Sequence, residues 1–437
     1  MARVVIVGAG FAGYRAAQAL RRKLGDEDEI VLINPTDYFL YLPLLPEVAG
    51  GVLDPRRVAV SLTATLPGVR LTLGYVDRID LGARTVHYTG PEGGAGAVTY
   101  DRLVVTTGSV NKVLPVPGIA NQAHGFRSIP EALYLRDHVI RQVELAASTE
   151  DPQERAARLT FVVVGAGYTG TEVAATGQLL TRSLLRHLPA LRDTPVRWLL
   201  LDRAPRVLPE LRARLSRSAT RILSRRGVEI RTGTSVSEAT AAGVRLTDGR
   251  FVPTRTVVWT VGVRPEPVVG ALGLAVDEGR VSVDEYLAVP GHPEVFACGD
   301  VAAVPDLTRP GELTAMTAQH AERQGKTVAR NVAASLGHGA ARPYRHRDLG
   351  LVVDLSGMKA VADPLGLPLT GFPAKVATRA YHLLAMPANR FRILLDWVVD
   401  AFARRQAVQL GLVRSPAVPL AETARPAAGQ LSPVSGP

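Results

Sequence analysis

Two short apolar runs, rich in β-branched residues, are each followed by a glycine segment and then by an alanine-rich helical pattern. The first run covers residues 3–7 and the second covers residues 160–164. Short, uniformly apolar runs of this kind are typical of strands that are buried on both faces of a parallel sheet. The helical patterns predict one helix from Gly13 to Leu24 and another from Gly170 towards Leu185.

Each helical pattern leads into a second apolar strand. These strands are predicted at residues 30–33 and 198–201, and the residues that end them are Asn34 and Asp202. A strand, a glycine turn, a helix and a second strand ending in a hydrogen-bonding residue form the βαβ unit that binds dinucleotides. A single glycine motif is weak evidence, whereas two copies in the same setting predict two dinucleotide sites.

The three glycines of such a loop have separate roles. The first makes a tight turn, the second lets the backbone approach a pyrophosphate, and the third lets the helix pack closely on the strand. Unpaired N–H groups at the start of the helix then face the phosphates. In order, these roles fall to Gly8, Gly10 and Gly13 in the first unit and to Gly165, Gly167 and Gly170 in the second. The alternative is a nucleotide-free turn that simply needs glycines.

The rest of the chain alternates between short strands and a helical end. Alternating residues and glycine-rich turns predict antiparallel strands over residues 71–100. Further strands are predicted within residues 100–109, 256–262, 295–300 and 337–365, and helices from 374 to about 410. From Arg414 onward the chain is rich in Pro, Ala and Ser, which predicts a disordered tail.

The composition is that of a globular protein, with 46% hydrophobic and 21% charged residues in a chain of 437. The single cysteine, Cys298, excludes an internal disulfide, a Cys-x-x-Cys zinc site and a paired-cysteine redox centre. The net charge of +11 favours association with an anionic surface, either nucleic acid or phospholipid.

Several classes of partner and location are disfavoured. The basic residues show no zinc-finger or helix-turn-helix spacing, so we expect no nucleic-acid partner. The histidines are scattered, so we expect no metal site. The apolar residues near the amino terminus lack a following cleavage site, and we expect no signal peptide and a location on the cytoplasmic side. No stretch approaches the ~20 apolar residues of a membrane-spanning helix.

The paired glycine units resemble the two-dinucleotide-domain flavoproteins of the pyridine-nucleotide reductase type, as do the segments at residues 106–109, 260–265 and 297–300. The resemblance implies an α/β fold with two Rossmann-like dinucleotide-binding domains, in which the first unit holds FAD and the second holds NAD(P)H. It also implies that Asp300 hydrogen-bonds the ribitol or pyrophosphate of FAD. Thr107 and Gly108 would lie near the flavin nucleotide.

The same resemblance implies the domain order. The FAD domain would be discontinuous, with the NAD(P)H domain inserted into it, because the segment ending in Gly299-Asp300 belongs to the FAD domain. A small C-terminal region of strands and amphipathic helices would associate with the membrane. The implied ranges are 1–115 with 285–336 for FAD, 116–284 for NAD(P)H, 337–413 for the C-terminal region and 414–437 for the tail.

Four segments are similar to the type II NADH dehydrogenases, the single-subunit NADH:quinone oxidoreductases. They lie at residues 39–50, 165–174, 259–265 and 317–325. In that family the Ala-Gln pair, here Ala318-Gln319, lies beside the flavin ring where quinone arrives. Glu172 and Gln319 are therefore the candidate catalytic residues. The cofactor-binding candidates are Gly8, Ala9, Gly10, Phe11, Ala12, Gly13, Asn34, Val76, Thr107, Gly108, Gly165, Gly167, Gly170, Asp202, Gly262, Gly299, Asp300, Ala318 and Gln319.

Glu172 lies two residues after the third glycine, so we expect it in the first turn of its helix, near the nicotinamide. There it would position the nicotinamide amide or help to supply protons to a reduced quinone. The alternative is an acid that only complements the helix dipole.

Three residues depart from the family pattern. Asn34 stands where an acid usually bonds the ribose of FAD, although its amide can still bond a hydroxyl. Arg323 replaces a glutamine, which leaves a protein carrier open as the acceptor. Asp202 favours the free 2′-hydroxyl of NADH, while the neighbouring Arg203 would suit the 2′-phosphate of NADPH.

The C-terminal helical pattern has two unlike faces. Its apolar face carries Phe391, Leu394, Leu395, Val398 and Phe402, and its polar face carries Arg392, Asp396, Asp400 and Arg404. Residues 374–414 hold seven basic and two acidic residues, a net charge of +5. A basic amphipathic helix with Trp397 and Phe402 is typical of a membrane interface. The helix could equally dock on the protein's own core or on a homodimer partner, and the resemblance favours the membrane.

The predicted function is hydride transfer from NADH to FAD, followed by transfer of two electrons to a membrane quinone without proton pumping. FAD and NADH are the expected cofactors, with NADPH possible. The alternatives are a soluble NAD(P)H-dependent reductase of an electron-carrier protein and a non-catalytic flavin redox sensor. An acidic carrier would be attracted to the basic surface.

Overall fold

A computed structural model describes residues 1–346, 348–403 and 407–420. The chain begins with a strand–helix–strand unit whose apolar strand residues are fully buried. The elements up to residue 115 are β1 (Arg3–Val7), α1 (Phe11–Leu20), β2 (Glu29–Asn34), β3 (Tyr38–Leu40), α2 (Leu45–Ala49), β4 (Ala59–Ser61), α3 (Leu62–Thr65), β5 (Arg70–Leu73), β6 (Tyr75–Asp80), β7 (Thr85–Thr89), β8 (Ala95–Thr99), β9 (Arg102–Val105) and β10 (Ser109–Asn111).

The middle of the chain repeats the same plan. Its first long helix, Ile129–Ser148, begins at a capping box, in which Ser128 and Glu131 satisfy each other's backbone N–H groups. The elements are α4 (Ile119–Gln122), β11 (Ala123–His124), α5 (Ile129–Ser148), α6 (Pro152–Arg158), β12 (Thr160–Val164), α7 (Tyr168–Leu185), β13 (Arg197–Asp202), α8 (Ala213–Arg225), β14 (Val228–Thr232), β15 (Val236–Thr240), β16 (Gly243–Leu246), β17 (Phe251–Pro253), β18 (Thr256–Trp259), β19 (Val263–Pro265), β20 (Val276–Asp277) and β21 (Arg280–Ser282).

The last third returns to the first unit and then adds a separate region. The returning elements are β22 (Ala288–Val289), β23 (His292–Ala297), β24 (Ala302–Ala303) and α9 (Ala318–Ser335). The added region contains β25 (Val352–Asp354), β26 (Ala360–Ala362), β27 (Leu369–Gly371), α10 (Phe372–Ala385) and α11 (Arg390–Phe402).

Two mainly parallel sheets organise these elements. The first has the order β22-β23-β9-β1-β2-β5, and only β22 runs antiparallel to its neighbour. The second has the order β11-β18-β12-β13-β14 and is parallel throughout. Because β23 returns beside β9 after the whole second sheet has been built, the first unit is discontinuous. The predicted fold class is confirmed.

A two-stranded ribbon joins the two units. β10 leaves the first unit just after Gly108, and β19 leaves the second just after Gly262. The two strands pair antiparallel, with Ser109 opposite Pro265. The carboxyl ends of the central strands of both sheets therefore connect to the same ribbon, which brings the two glycine loops to one side of the molecule.

Some element bounds differ from the sequence prediction. α1 and α7 both begin before the third glycine, and α1 ends at Leu20 rather than Leu24. Within residues 71–100, β5 pairs parallel with β2, whereas β6, β7 and β8 form the expected antiparallel sheet. The last helix ends at Phe402, not near residue 410. A helix needs only a few favourable residues at its ends, so sequence patterns locate its bounds poorly.

The C-terminal region packs on both units. β25, β26 and β27 form an antiparallel sheet that is covered by α10, and α11 follows. Within the range assigned to a tail, residues 415–417 form one turn of 3-10 helix. Leu420 is buried in the apolar cluster of the second unit, so this range is folded at its start. Residues 421–437 lie outside the described residues.

Candidate active site

The first glycine loop, residues 8–13, forms a cradle at the start of α1. Gly8 has a φ of +94°, and a Cβ placed there would lie 2.6 Å from the carbonyl oxygen of Thr106. A Cβ on Gly13 would lie 1.8 Å from the carbonyl oxygen of Gly8, whereas one on Gly10 would meet no atom within 4 Å. The first and third glycines are therefore required by the fold, and the second leaves room for a pyrophosphate.

The second glycine loop, residues 165–170, repeats this geometry at the start of α7. Gly165 has a φ of +105°, and a Cβ there would lie 2.3 Å from the carbonyl oxygen of Thr260. A Cβ on Gly170 would again lie 1.8 Å from the carbonyl oxygen of the first glycine, and one on Gly167 would meet no atom within 4 Å. Both cradles are therefore shaped for close approach by a ligand at their second glycine.

The residues that end β2 and β13 hold the two cradles by the same contact. Asn34 Oδ1 accepts a hydrogen bond from Ala9 N at 2.8 Å, and Asp202 Oδ2 accepts one from Ala166 N at 2.5 Å. The Asn34 amide nitrogen also donates to the carbonyl oxygen of Thr36. Asp202 Oδ1 accepts from Ala204 N. Each side chain thus fixes its own loop and stands where a ribose hydroxyl would be bound.

A threonine and a glycine complete each cradle. Thr106 Oγ1 lies within 2.9 Å of the carbonyl oxygens of Val7 and Gly8, and Thr260 Oγ1 makes the equivalent pair of bonds. Two residues later, Gly108 and Gly262 both have positive φ values, 78° and 110°. In the first unit, Thr107 Oγ1 is buried and has no hydrogen-bond partner among the described residues. An orphaned buried hydroxyl at the predicted position fits a bound nucleotide.

Helix α9 packs against the first cradle. A Cβ on Gly325 would lie 2.3 Å from the carbonyl oxygen of Ala12, so α9 packs directly on α1. Gly299 has a φ of +81°, and its N–H donates to Gln324 Oε1 at 2.8 Å. Next to it, Asp300 accepts a hydrogen bond from Ser109 Oγ at 2.5 Å. These contacts bring the predicted Gly299-Asp300 pair to the first cradle.

Two further candidates border the same cradle. Phe11 begins α1, and its ring packs edge-on against Phe39 with the ring centroids 5.0 Å apart. Val76 is partly buried in β6, two residues after Gly74, whose N–H donates to the carbonyl oxygen of Asn34. Both therefore lie beside the carboxyl end of β2, where the adenosine end of a dinucleotide is expected.

Cys298 is fully buried in the apolar core. Burial raises the pKa of its thiol, so the thiol stays protonated and unreactive at neutral pH. This placement confirms the interpretation of Cys298 as a small core residue.

Gln319 and Glu172 come from different units and bond the same short segment. Gln319, the second residue of α9, donates from Nε2 to the carbonyl oxygen of Gly350 at 2.6 Å. Glu172 accepts the N–H of Asp354 at 2.9 Å through Oε1. Residues 350–354 thus connect α9 of the first unit to α7 of the second, with Gln319 bonding one end of this segment and Glu172 the other.

Glu172 is not in the first helical turn, as the sequence predicted, but is the fifth residue of α7. α7 begins at Tyr168, two residues before the third glycine, and this shifts Glu172 into the second turn. The role of a dipole-complementing acid is therefore not supported by its position. Burial raises the pKa of its carboxyl well above the usual range. A carboxyl of this kind suits proton exchange.

Sequence patterns missed a buried charged cluster beside Glu172. Lys375, which the sequence counted as part of a basic surface, is 2% exposed and forms an ion pair with Asp354. Its Nζ also lies 3.7 Å from Oε1 of Glu47. The local signal was a lysine between Ala374 and Val376, which does not distinguish a buried lysine from one with an exposed head group.

The apolar face of α11 is exposed to solvent. Phe391 is 84% exposed and Phe402 is 90% exposed, and Leu394, Leu395 and Val398 between them are also exposed. The opposite side of the helix, with Ile393 and Trp397, is the buried one. The docking of the predicted apolar face on the protein's own core is therefore wrong, and so is a membrane position for Trp397.

The polar face of α11 is partly used within the protein. Asp396 forms a two-pronged ion pair with Arg57 of the first unit, with the shorter N–O distance at 2.8 Å. Arg392 is exposed, and Arg404 lies outside the described residues. Among the helices of the described residues, none is long and apolar enough to cross a bilayer.

The fold and the site define a class: a protein with two dinucleotide cradles on one side and no thiol pair to relay electrons. Comparison with known proteins places the chain within that class. The sequence profile of the pyridine nucleotide-disulphide oxidoreductase family matches residues 2–325.

Full-length relatives narrow the class. The type II NADH:quinone oxidoreductase NdhA of Mycobacterium tuberculosis is 35% identical over 420 residues, which cover 92% of this chain and 87% of that protein. The mitochondrial internal alternative NAD(P)H-ubiquinone oxidoreductase A1 of Arabidopsis thaliana is 28% identical over 91% of this chain and 83% of its own. The structure of NDH2 from Plasmodium falciparum in complex with NADH has the same fold, with a TM-score of 0.86 at 16% identity over 93% of this chain and 99% of that one.

The chain belongs to the pyridine nucleotide-disulphide oxidoreductases, in the branch of the type II NADH:quinone oxidoreductases. The predicted family, fold and cofactor pair are confirmed.

Proposed function

We propose that this protein passes two electrons from NADH to a membrane quinone at the junction of its two units, with FAD in the first cradle and NADH in the second. The overall reaction takes up one proton, since NADH, H⁺ and a quinone give NAD⁺ and a quinol. The observation that carries the proposal is the convergence of Gln319 and Glu172 on residues 350–354, between two cradles of equal geometry. The chemistry that FAD supplies when bound is acceptance of a hydride and release of two electrons.

The two cradles divide the binding work. Gly10 and the start of α1 would hold the pyrophosphate of FAD, and Thr107 would bond the nucleotide through its unpartnered hydroxyl. Gly167 and the start of α7 would hold the pyrophosphate of NADH. The Asp202 carboxylate repels a 2′-phosphate and accepts a hydroxyl, so it selects NADH over NADPH. The exposed Arg203 beside it is the residue that would weaken this preference.

Glu172 and Gln319 serve the acceptor side. Gln319 is anchored through its amide nitrogen to Gly350, so its position beside the expected acceptor is fixed. Desolvation raises the pKa of the half-buried Glu172 carboxyl and so favours its protonated form, which would supply a proton during quinone reduction. Arg323, the departure from the family pattern, bonds His346 Nδ1 at 3.2 Å, and so helps to hold the segment that leads to Gly350.

Two half-reactions followed separately by stopped flow test this assignment. In the Glu172→Gln variant we expect flavin reduction by NADH to be unchanged and reoxidation by a short-chain quinone to slow by about a hundredfold, the usual range for a lost proton donor. Glu29→Gln is the matched control, because Glu29 pairs with Arg3 and Arg70 at the amino end of β2, at the opposite end of the strand from the cradle. Reoxidation of Glu172→Gln at the wild-type rate would contradict the role.

We further propose that α11 holds the protein on the cytoplasmic surface of an anionic membrane. Leu384 and Val376 of α10, the helix that contacts α11, are exposed as well. Exposed Arg392 adds electrostatic attraction to anionic lipid. A quinone dissolved in the bilayer would then reach the junction from this side. A homodimer that buries the same face is the competing explanation.

Vesicle flotation distinguishes the membrane from a homodimer. Phe391→Ser combined with Phe402→Ser removes two exposed rings, so the fold should be unaffected. Each buried phenylalanine contributes about 2 kcal/mol, and the pair should weaken vesicle binding by at least about a hundredfold. Phe251→Ser, at an exposed site in the second unit, is the control. A lipid-free dimer that the double variant dissociates would contradict the membrane assignment.

A further inference from the structure

Four ionisable side chains from four elements form a cluster on the buried side of α11. Lys375 of α10 forms an ion pair with Asp354 of β25, and its Nζ lies 3.7 Å from Oε1 of Glu47 in α2. Glu172 of α7 joins the cluster through the backbone N–H of Asp354. Lys375 is 2% exposed and Glu47 is 7% exposed. The cluster therefore links the first unit, the second unit and the C-terminal region in the interior.

One hydrogen bond ties α11 to this cluster. Trp397 Nε1 donates to Glu47 Oε2 at 2.5 Å, and the tryptophan side chain is buried. The guanidinium of Arg379 lies over the indole ring, 4.8 Å from its centroid. Trp397 is on the side of α11 opposite the exposed apolar face. The helix thus has its apolar face outward and holds a buried carboxyl on its inner side.

The charges of the cluster do not balance. Among the described residues, the carboxyl groups of Glu47, Asp354 and Glu172 lie around the ammonium group of Lys375, and the Arg379 guanidinium also faces Glu47. Because ionised acids that lie close together repel one another, the cluster favours the protonated form of at least one of them. Burial raises the pKa of Glu47 to about 7, although Lys375 opposes the shift. Arg379 also faces Glu47 and lowers its pKa to a smaller degree.

We propose that Glu47 is a positioning residue for quinone reduction: it holds Lys375 beside Asp354 from the first unit, and Trp397 of α11 holds Glu47 in turn. The docking of α11 then sets the geometry of the acids that include Glu172. Because Trp397 donates to Glu47 and Glu47 faces Lys375, both would act on the reaction through Lys375. The inference rests on the proposed role of Glu172 at the acceptor side.

The test follows the two half-reactions across pH in Glu47→Gln. The amide keeps the shape and can still accept from Trp397 but loses the charge that faces Lys375. We expect NADH to reduce the flavin at the wild-type rate. Reoxidation by a short-chain quinone should slow by about tenfold or more, the range seen when a supporting contact is lost. Its pH dependence near pH 7 should flatten, and Glu47→Asp should restore part of the rate.

The Trp397→Phe variant tests the link to α11. It removes the N–H donor and keeps an aromatic ring, so reoxidation should slow in the same direction. In the double variant with Glu47→Gln the effects should not add, because both act through one contact. Trp198→Phe is the matched control, since that buried indole donates to Thr181 Oγ1 at 3.1 Å, away from the cluster.

Two outcomes would overturn the inference. One is wild-type reoxidation with an unchanged pH profile in Glu47→Gln, while Glu172→Gln is slow. The other is an equal loss in both half-reactions together with a lower Tm, which marks a purely structural residue. If Glu172→Gln also reoxidises normally, the proposed acceptor site itself fails, and the two failures are thereby distinguished.

Discussion

The two cradles have nearly the same backbone and differ in the side chain that holds them. In each, the third glycine would clash with the first at 1.8 Å if it carried a Cβ, and a threonine bonds two carbonyl oxygens of the loop. In the first cradle the holding residue is the neutral Asn34, which is 8% exposed. In the second it is Asp202, which is more exposed and can carry a charge.

This difference suits a resident cofactor on one side and an exchanging substrate on the other. The first cradle is covered by α9, whose Gly325 packs on Ala12, and its neutral amide is engaged with the protein at both ends. In the proposed assignment, the charge of the Asp202 carboxylate in the second cradle selects NADH over NADPH. Under this assignment, the same loop geometry would retain FAD in the first unit and exchange NADH in the second, because the two cradles differ in the packing of α9 and in the residue that ends the second strand.

The variants that should distinguish the ligands of the two cradles most strongly each add one methyl group to a loop glycine. Gly13→Ala should abolish FAD binding, whereas Gly170→Ala should keep the yellow cofactor and weaken NADH binding by about a hundredfold or more, because each Cβ meets a backbone carbonyl. Absorbance of the purified protein and NADH titration report the two effects. Gly10→Ala and Gly167→Ala, which meet no protein atom, should fold normally and still weaken the same ligands.

Giving Asn34 and Asp202 each the other's side-chain type should affect ligand binding less, and by different amounts in the two cradles. Asp202→Asn loses one of the two acceptors for Ala166 N and Ala204 N, and should raise the KM for NADH by about tenfold. Asn34→Asp replaces a donor to Thr36 by an acceptor and should weaken FAD binding without changing the KM. Steady-state kinetics with excess FAD separate the two. An effect of Asn34→Asp on the KM for NADH would contradict the assignment of the cradles.

The loop threonines should matter almost equally in the two units. Thr106→Val and Thr260→Val each remove a hydroxyl that bonds two carbonyl oxygens, at a cost of about 1–2 kcal/mol of unfolding free energy. Urea unfolding measures this cost. A much larger loss for one of them would show that the cradles are not equivalent supports.

Acidification should destabilise the second unit near its edge strand β11. Burial lowers the pKa of His124 to about 4 and of His138 to about 3, and His138 bonds Thr256 of β18. Because the unfolded state binds these protons first, stability falls as the pH drops below about 6.5. Urea unfolding from pH 7.5 to pH 5 should show this fall, and His138→Gln should reduce its slope. An unchanged slope would exclude His138 as the cause.

The cradles could be predicted from the sequence because their determinants are local. Strand, glycines, helix and the residue ending the second strand all lie within about 40 positions, and each glycine is required by a contact with its own loop or the neighbouring strand. The positions of Asp300 and Gln319 came from the family resemblance. In the structure Asp300 accepts a hydrogen bond from Ser109, and Gln319 donates one to Gly350; their catalytic and binding roles stay predictions.

The cluster around Lys375 could not be predicted, because its members are far apart in the chain and no periodicity connects them. The same limit affected α11. Its apolar residues occupy two faces, and spacing alone did not show that Trp397 is buried while Phe391 is exposed. The buried face of α11 is held by the contacts of Trp397 with Glu47 and of Asp396 with Arg57. Both partners lie more than 300 positions away in the chain.

The most direct test of the account is an anaerobic titration of the purified protein, watched through the flavin absorbance. The account predicts that one equivalent of NADH bleaches the visible flavin band and that one equivalent of a short-chain quinone restores it. A protein that binds no FAD, or whose reduced flavin persists in excess quinone, would contradict the claim that two facing cradles pass electrons to an external quinone.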